Sequence, residues 1–170
     1  AFYFSANRYE NWQQQPLNTE IFKFDLVDAS LTQLTERSGP DNHPKVSPNG
    51  RYIAYTGFDD KRLSSQRNRL YVMDIDGSNI KPLSDDLDRS ISGFAWKSNS
   101  RGLVISYDEH GTGVLAEQTL RGLRKELARD LGGLSYSRPY SGGQFSIGYR
   151  DAVFYTQSSR LYFESATFGI

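Results

Sequence analysis

The sequence predicts an all-β chain, a partial β-propeller of about four blades of four-stranded antiparallel sheet with the first and last blades incomplete. Three observations carry this. A strand of three apolar residues closed by a small polar one occurs four times, as Phe2-Tyr3-Phe4-Ser5, Ile53-Ala54-Tyr55-Thr56, Leu103-Val104-Ile105-Ser106 and Val153-Phe154-Tyr155-Thr156, displaced by 51, 50 and 50 residues. A fixed period of this size marks a modular array. A second series, Ile21-Phe22-Lys23-Phe24-Asp25-Leu26, Leu70-Tyr71-Val72-Met73-Asp74-Ile75 and, more loosely, Leu161-Tyr162-Phe163, follows a first-series strand after a polar loop. Finally, with 11 Tyr and 10 Phe among 170 residues, apolar runs are short and broken by Gly, Asn, Asp and Ser, as in β-rich chains. One such sheet cannot bury both its faces, so the units must stack.

The first unit, 1–35, has a strand over 1–5, a polar loop over 7–16 and a strand over 20–26. Leu31-Thr32-Gln33-Leu34-Thr35 then alternates as a half-exposed edge strand does. A connection over 36–42, centred on Ser38-Gly39-Pro40-Asp41, leads to the second unit, 43–84, with strands over 43–47, 52–58, 69–75 and 80–84. Its first two strands are joined by Pro48-Asn49-Gly50, in which proline presets φ and Asn-Gly tolerates positive φ. Asp76-Gly77-Ser78-Asn79 is a second such turn, and the charged loop over 59–68 is expected to be exposed. In the third unit, 91–128, Ser98-Asn99-Ser100 stands where Pro48-Asn49-Gly50 stood. Residues 115–128 carry good helix formers at helix-like spacing, but the central Gly122 and the repeat favour strand, turn, strand. The fourth unit, 136–170, offers strands over 136–143, 144–149, 152–156 and 160–164. The core is expected at Ile53, Tyr55, Trp96, Leu103, Ile105 and Phe154.

Twenty Lys plus Arg balance twenty Asp plus Glu, without a long run of either sign, which argues against a nucleic-acid partner. No apolar run approaches about 18 residues, so no membrane span is expected. Without cysteine there is no disulfide, iron–sulfur or thiolate zinc chemistry, and no cofactor is expected. His43 and His110, the only histidines, lack a carboxylate motif beside them and read as surface or hydrogen-bonding residues rather than metal ligands. Asp74-Ile75-Asp76-Gly77-Ser78 lacks the third ligand and distant glutamate of a calcium loop. A nucleophile elbow would read Gly-x-Ser-x-Gly; Gly143-Gln144-Phe145-Ser146-Ile147-Gly148 has one residue too many, so no catalytic residue is expected in this chain. The paired glycines Gly132-Gly133 and Gly142-Gly143 would recur in every repeat of a kelch-type propeller, and they do not.

Ser47-Pro48-Asn49-Gly50-Arg51-Tyr52-Ile53-Ala54-Tyr55, followed by Leu70-Tyr71-Val72-Met73-Asp74-Ile75-Asp76-Gly77-Ser78 and Leu83-Ser84, resembles the TolB-type propeller blade, with its Ser-Pro-Asp-Gly-Lys turn and Tyr-Val-Met-Asp-x-Asp-Gly strand. Asn49 for Asp, and Ser98-Asn99-Ser100-Arg101 for Pro-Asp-Gly-Lys, depart from that pattern and touch turn quality. Further stretches, Ser5-Ala6-Asn7-Arg8, Gly39-Pro40-Asp41, Tyr55-Thr56-Gly57-Phe58-Asp59-Asp60, Asp88-Arg89-Ser90 and Arg138-Pro139-Tyr140-Ser141-Gly142-Gly143-Gln144-Phe145-Ser146, resemble the amino-terminal propeller of bacterial prolyl oligopeptidase-family serine peptidases of the acylaminoacyl-peptidase and dipeptidyl-peptidase-like branch. The resemblance implies a propeller that caps an α/β-hydrolase domain with a Ser-Asp-His triad and filters peptide substrates by size. The family it resembles is bacterial; the sequence leaves the compartment open, with the periplasm preferred over the cytoplasm.

On this reading the loop charges Arg8, Asp88, Arg89 and Arg138 are candidate contacts to substrate or to the hydrolase domain, charged groups suited to peptide termini or a partner surface. The chain is expected to be one arc of a larger ring, and to self-associate through apolar faces carrying Phe2, Phe4, Phe22, Phe154, Tyr162 and Phe163. The alternative is a TolB-like propeller that binds protein partners and has no hydrolase; a Gly-x-Ser-x-Gly with downstream Asp and His beyond Ile170 would separate the two.

Overall fold

The structure, a computed structural model, describes the backbone of residues 1–135, 138–141, 143–159 and 162–169, with side chains for 1–132, 143–157 and 169. These residues are all-β apart from one 3-10 turn, Tyr149–Asp151. No helix among them is long and apolar enough to cross a membrane. The chain divides into two compact units, Ala1–Asp88 and Arg89–Ile170.

The first unit holds two antiparallel sheets. β1 (Phe2–Ala6), β2 (Glu20–Phe24) and β3 (Leu31–Gln33) form one; β4 (Asp41–Val46), β5 (Tyr52–Gly57), β6 (Arg69–Asp74) and β7 (Lys81–Pro82) form the other, each in chain order. Register sets Phe4 opposite Phe22, whose rings stack at 5.8 Å, and Tyr55 opposite Tyr71, stacked at 5.3 Å. Ile21 of the first sheet packs with Ile53, Tyr55, Tyr71 and Met73 of the second in one buried cluster. Both faces of β5 and β6 are therefore covered, the condition in which a strand reads as a continuous apolar run rather than an alternation. The β4–β5 ladder is interrupted between Asn42 and Lys45, where His43 takes a positive φ of 57° and Pro44 has no N–H to donate.

In the second unit β8 (Ile91–Trp96), β9 (Gly102–Glu109), β10 (Thr112–Thr119) and β11 (Arg124–Leu131) follow as consecutive hairpins. β12 (Gly133–Ser135) pairs with β13 (Arg138–Ser141). β14 (Phe145–Ile147) and β16 (Tyr162–Gly169) flank β15 (Val153–Ser159), and one pair, Leu131 with Gln157, joins β15 to β11 in a seven-stranded sheet. The helix-like run over 115–128 is strand, turn and strand, as the repeat requires. Paired on both edges, β10 buries Val114, Leu115 and Ala116 completely, a gain that intrinsic helix propensity does not weigh.

The two repeated turns are built alike. Gly50 takes φ +70° and donates to Ser47 O at 2.8 Å; Ser100 takes φ +56° and donates to Lys97 O at 3.0 Å. Asn49 Oδ1 accepts the Arg51 N–H at 3.1 Å and Asn99 Oδ1 the Arg101 N–H at 2.8 Å. The amide oxygen thus does what the usual aspartate would, and the cost of the second copy falls on Ser100, a side-chain residue held in the left-handed region.

Of the expected core, Ile53, Tyr55, Leu103 and Ile105 are fully buried and Trp96 is 8% exposed. Phe154 is corrected: it is 44% exposed, because alternation along β15 turns Val153 and Tyr155 inward and Phe154 to the other face. Phe22, expected on an exposed face, is instead buried, with the Phe4 ring against it and the Arg8 guanidinium 5.9 Å from its centroid. Tyr136, Ser137, Gly142, Arg160 and Leu161, which belong to expected fourth-unit strands, lie outside the described residues, as do the side chains of Tyr162 and Phe163.

Candidate functional site

Antiparallel order brings the loop over 7–19, the connection over 34–40 and the loop over 58–68 to one end of the first unit. They are stitched together by backbone: Asp41 N–H donates to Thr19 O at 2.7 Å, and Asp60 N–H to Ser38 O at 2.7 Å. Here the chain buries two carboxylates. Glu20 opens β2 at 1% exposure and is saturated, its Oε1 accepting from the Arg37 N–H at 2.8 Å and the Tyr9 hydroxyl at 3.1 Å, its Oε2 from the Thr35 hydroxyl at 2.6 Å. Thr35 Oγ1 in turn accepts the Ile21 N–H at 2.9 Å.

Asp41, also 1% exposed, is placed differently. Arg37 Nε approaches its Oδ1 at 3.2 Å, an ion-pair distance without hydrogen-bond alignment, and neither oxygen has a hydrogen-bond partner. Gly57 is what makes room, since a Cβ there would overlap both Asp41 Oδ1 and Pro40 O. Burial pushes the Asp41 carboxyl up to about 7; Arg37 and Thr35 pull it down, and Glu20 and Asp59 raise it further.

Arg37 is the hub. Its guanidinium lies 4.0 Å over the Tyr71 ring, donates to Tyr55 Oη at 3.4 Å and reaches Asp59 Oδ1 at 3.6 Å. Burial alone would lower its pKa, and the Asp41 carboxylate and the two tyrosines outweigh that, so the charge is fixed. Burial raises the Tyr55 hydroxyl well above its ordinary value and keeps it neutral. Beside this knot opens a cleft of about 360 Å³ walled by Thr35, Arg37, Asp59, Arg69, Tyr71 and Pro82.

Neither Arg8 nor Asp88, the sequence candidates of the first unit, lines this cleft. Arg8 is exposed in the loop after β1, near Phe22. Asp88, its side chain 95% exposed, closes the first unit and pairs with Arg67 at 3.7 Å. Arg89 opens the second unit, half-buried, and Arg138 lies on β13 with its side chain outside the described residues. Among the described residues no cluster of three or more His, Asp or Glu side chains is placed to hold a metal. Asp76 Oδ1 instead closes its turn by accepting from the Ser78 N–H and hydroxyl.

The knot is absent from the candidates because buried polar residues leave no periodic trace. One signal was available. Leu34-Thr35 repeats as Leu83-Ser84 with the spacing of Ile21 to Leu70, and Ser84 Oγ accepts the Leu70 N–H at 2.9 Å as Thr35 does for Ile21.

No family model matches this chain. Over 79 residues, 45% of its length, it is 32% identical to the probable dipeptidyl-peptidase 5 of Arthroderma benhamiae, and over 80 residues, again 45%, it is 34% identical to dipeptidyl-peptidase 5 of Arthroderma otae. Each match takes in 11% of the relative, so the chain spans a small fraction of the curated proteins it matches. Among solved structures, TolB from Acinetobacter baumannii superposes with TM-score 0.59 at 18% identity, over 84% of this chain and 33% of that one. A putative TolB from Agrobacterium tumefaciens gives 0.53 at 17% identity, over 65% and 41%. A chain of a nidogen/laminin complex gives 0.58 at 17% identity, over 82% and 49%. At these identities the likeness is one of fold, that of the TolB-type propeller.

Proposed function

We propose that this chain is part of the propeller of a dipeptidyl-peptidase-like serine peptidase, non-catalytic in itself, which covers the active site of an α/β-hydrolase domain and admits peptides by size. The observation that supports this best is the match at 32% identity over 79 residues to dipeptidyl-peptidase 5; a propeller fold alone hosts unrelated functions. In this reading the loop end of the first unit belongs to the face that peptides pass. Arg8 and Asp88 of the first unit, and separately Arg89 and Arg138 of the second, are the chain's proposed contacts to substrate or to the hydrolase domain.

The test uses the full-length protein and a ladder of peptides from a dipeptidyl chromogenic substrate upward. Shortening the exposed loop within 61–66 leaves the smallest substrate unaffected and raises turnover of the longest about tenfold. Equal effects at all lengths contradict gating. A full-length protein that hydrolyses none of them replaces this reading with the alternative, a TolB-like binding module without hydrolase activity.

A further inference from the structure

One guanidinium serves two carboxylates of opposite exposure at the loop end of the first unit. Asp41 is sealed against Gly57 with no hydrogen-bond partner, while Asp59, 3.6 Å from Arg37 Nη1, has its side chain 64% exposed. Asp59 faces water; Asp41, shut off from water, has only the Arg37 guanidinium and the Thr35 hydroxyl, which already donates to Glu20, to favour its charge. The charged and titratable groups around Asp41 come from every neighbouring element: Arg37 with Glu36 and the Thr35 hydroxyl from the connection, Glu20 from β2, Tyr55 from β5, Asp59 from the following loop, Tyr71 and Arg69 from β6, and His43 two residues along β4. Loop and connection meet through few bonds besides this ion pair, chiefly Phe58 N–H to Pro40 O at 3.3 Å and Asp60 N–H to Ser38 O at 2.7 Å.

We propose that Asp41 is a proton-operated latch on the loop over 58–68: protonated, it leaves Arg37 to hold Asp59 and the loop; ionised, it draws Arg37 inward and releases them. The proton comes from and returns to solvent, and no other bond changes. Burial places the exchange near neutral pH, since it raises this carboxyl to about 7. Tyr71 stays under the guanidinium in both states, so Arg37 swings about its stacking contact rather than leaving the site. The inference does not depend on the peptidase reading, because loop, connection and switch all lie within residues 18–71.

Amide hydrogen exchange of the full chain, corrected for intrinsic rates, tests it. In the wild type the protection of the Phe58 and Asp60 amides falls about tenfold between about pH 5.5 and pH 8.5. Asp41→Asn removes that dependence, and His43→Gln, which removes the imidazole two residues along β4, leaves it intact. A flat wild-type profile, or a dependence that survives Asp41→Asn and vanishes with His43→Gln, overturns the proposal. Should Asp41→Asn fail to fold, the carbon-13 shift of the wild-type Asp41 carboxyl decides: a midpoint near 7 supports the latch, and one near 4 overturns it.

Discussion

At Gly57 the backbone has room for a hydrogen and nothing larger, because Pro40 O and Asp41 Oδ1 occupy the place of a Cβ. Gly57→Ala is therefore expected to cost about 3 kcal/mol, the upper range for overpacking a filled site. Gly50→Ala, where positive φ is the only obstacle and the space is open, is expected to cost about 1 kcal/mol. Urea unfolding of the two variants checks the difference. Arg37→Ala strands the buried Asp41 charge and is expected to cost about 3 kcal/mol at alkaline pH, less where Asp41 is protonated. The sign of the pH dependence follows from Asp41 itself, whose carboxyl titrates at its ordinary 3.8 when unfolded and at about 7 when folded. The folded state holds the proton more tightly. This contribution to stability is complete below about pH 4, declines as pH rises through 7 and is flat beyond. Urea midpoints at several pH values should show that decline in the wild type and not in Asp41→Asn.

Strands and turns were legible in the sequence wherever a local pattern recorded them. The 50-residue period located β1, β5, β9 and β15 because each copy carries its own apolar triplet, and Pro48-Asn49-Gly50 announced its turn because Asn and Gly supply the positions it needs. At 115–128 the repeat outweighed a helix-like composition, and the β10–β11 hairpin follows it. Burial of Phe154 was misjudged because a run of apolar residues does not say which face meets a neighbour. The knot of Glu20, Thr35, Arg37 and Asp41 left only the Leu34-Thr35 and Leu83-Ser84 repeat as a trace, for a different reason: its residues come from two strands and a connection, and the stacking of two sheets brings Glu20 to the others. The turns offer a test at this scale. Asn49→Ala and Asn99→Ala each remove an acceptor for a turn N–H, and each is expected to cost about 1 kcal/mol. Thermal unfolding should show similar losses for both if the two turns are equivalent units.

For the whole molecule, exposed apolar surface predicts behaviour in solution. Phe2 is 60% exposed on β1, which pairs only with β2 among the described strands, and Phe154 is 44% exposed on β15. An open strand edge beside an apolar face is a template for further pairing. The 170-residue chain is accordingly expected to associate as concentration rises, and Phe2→Lys with Phe154→Lys to weaken this, as sedimentation would show. The central claim, that this propeller segment serves a serine peptidase and supplies none of its chemistry, is tested most directly by active-site labelling of the full-length protein. After reaction with a serine-directed covalent inhibitor that abolishes dipeptidyl hydrolysis, mass spectrometry should find the label on one serine outside residues 1–170, in a Gly-x-Ser-x-Gly sequence. A label on a serine within 1–170, or a full-length protein with neither hydrolysis nor label, would contradict it.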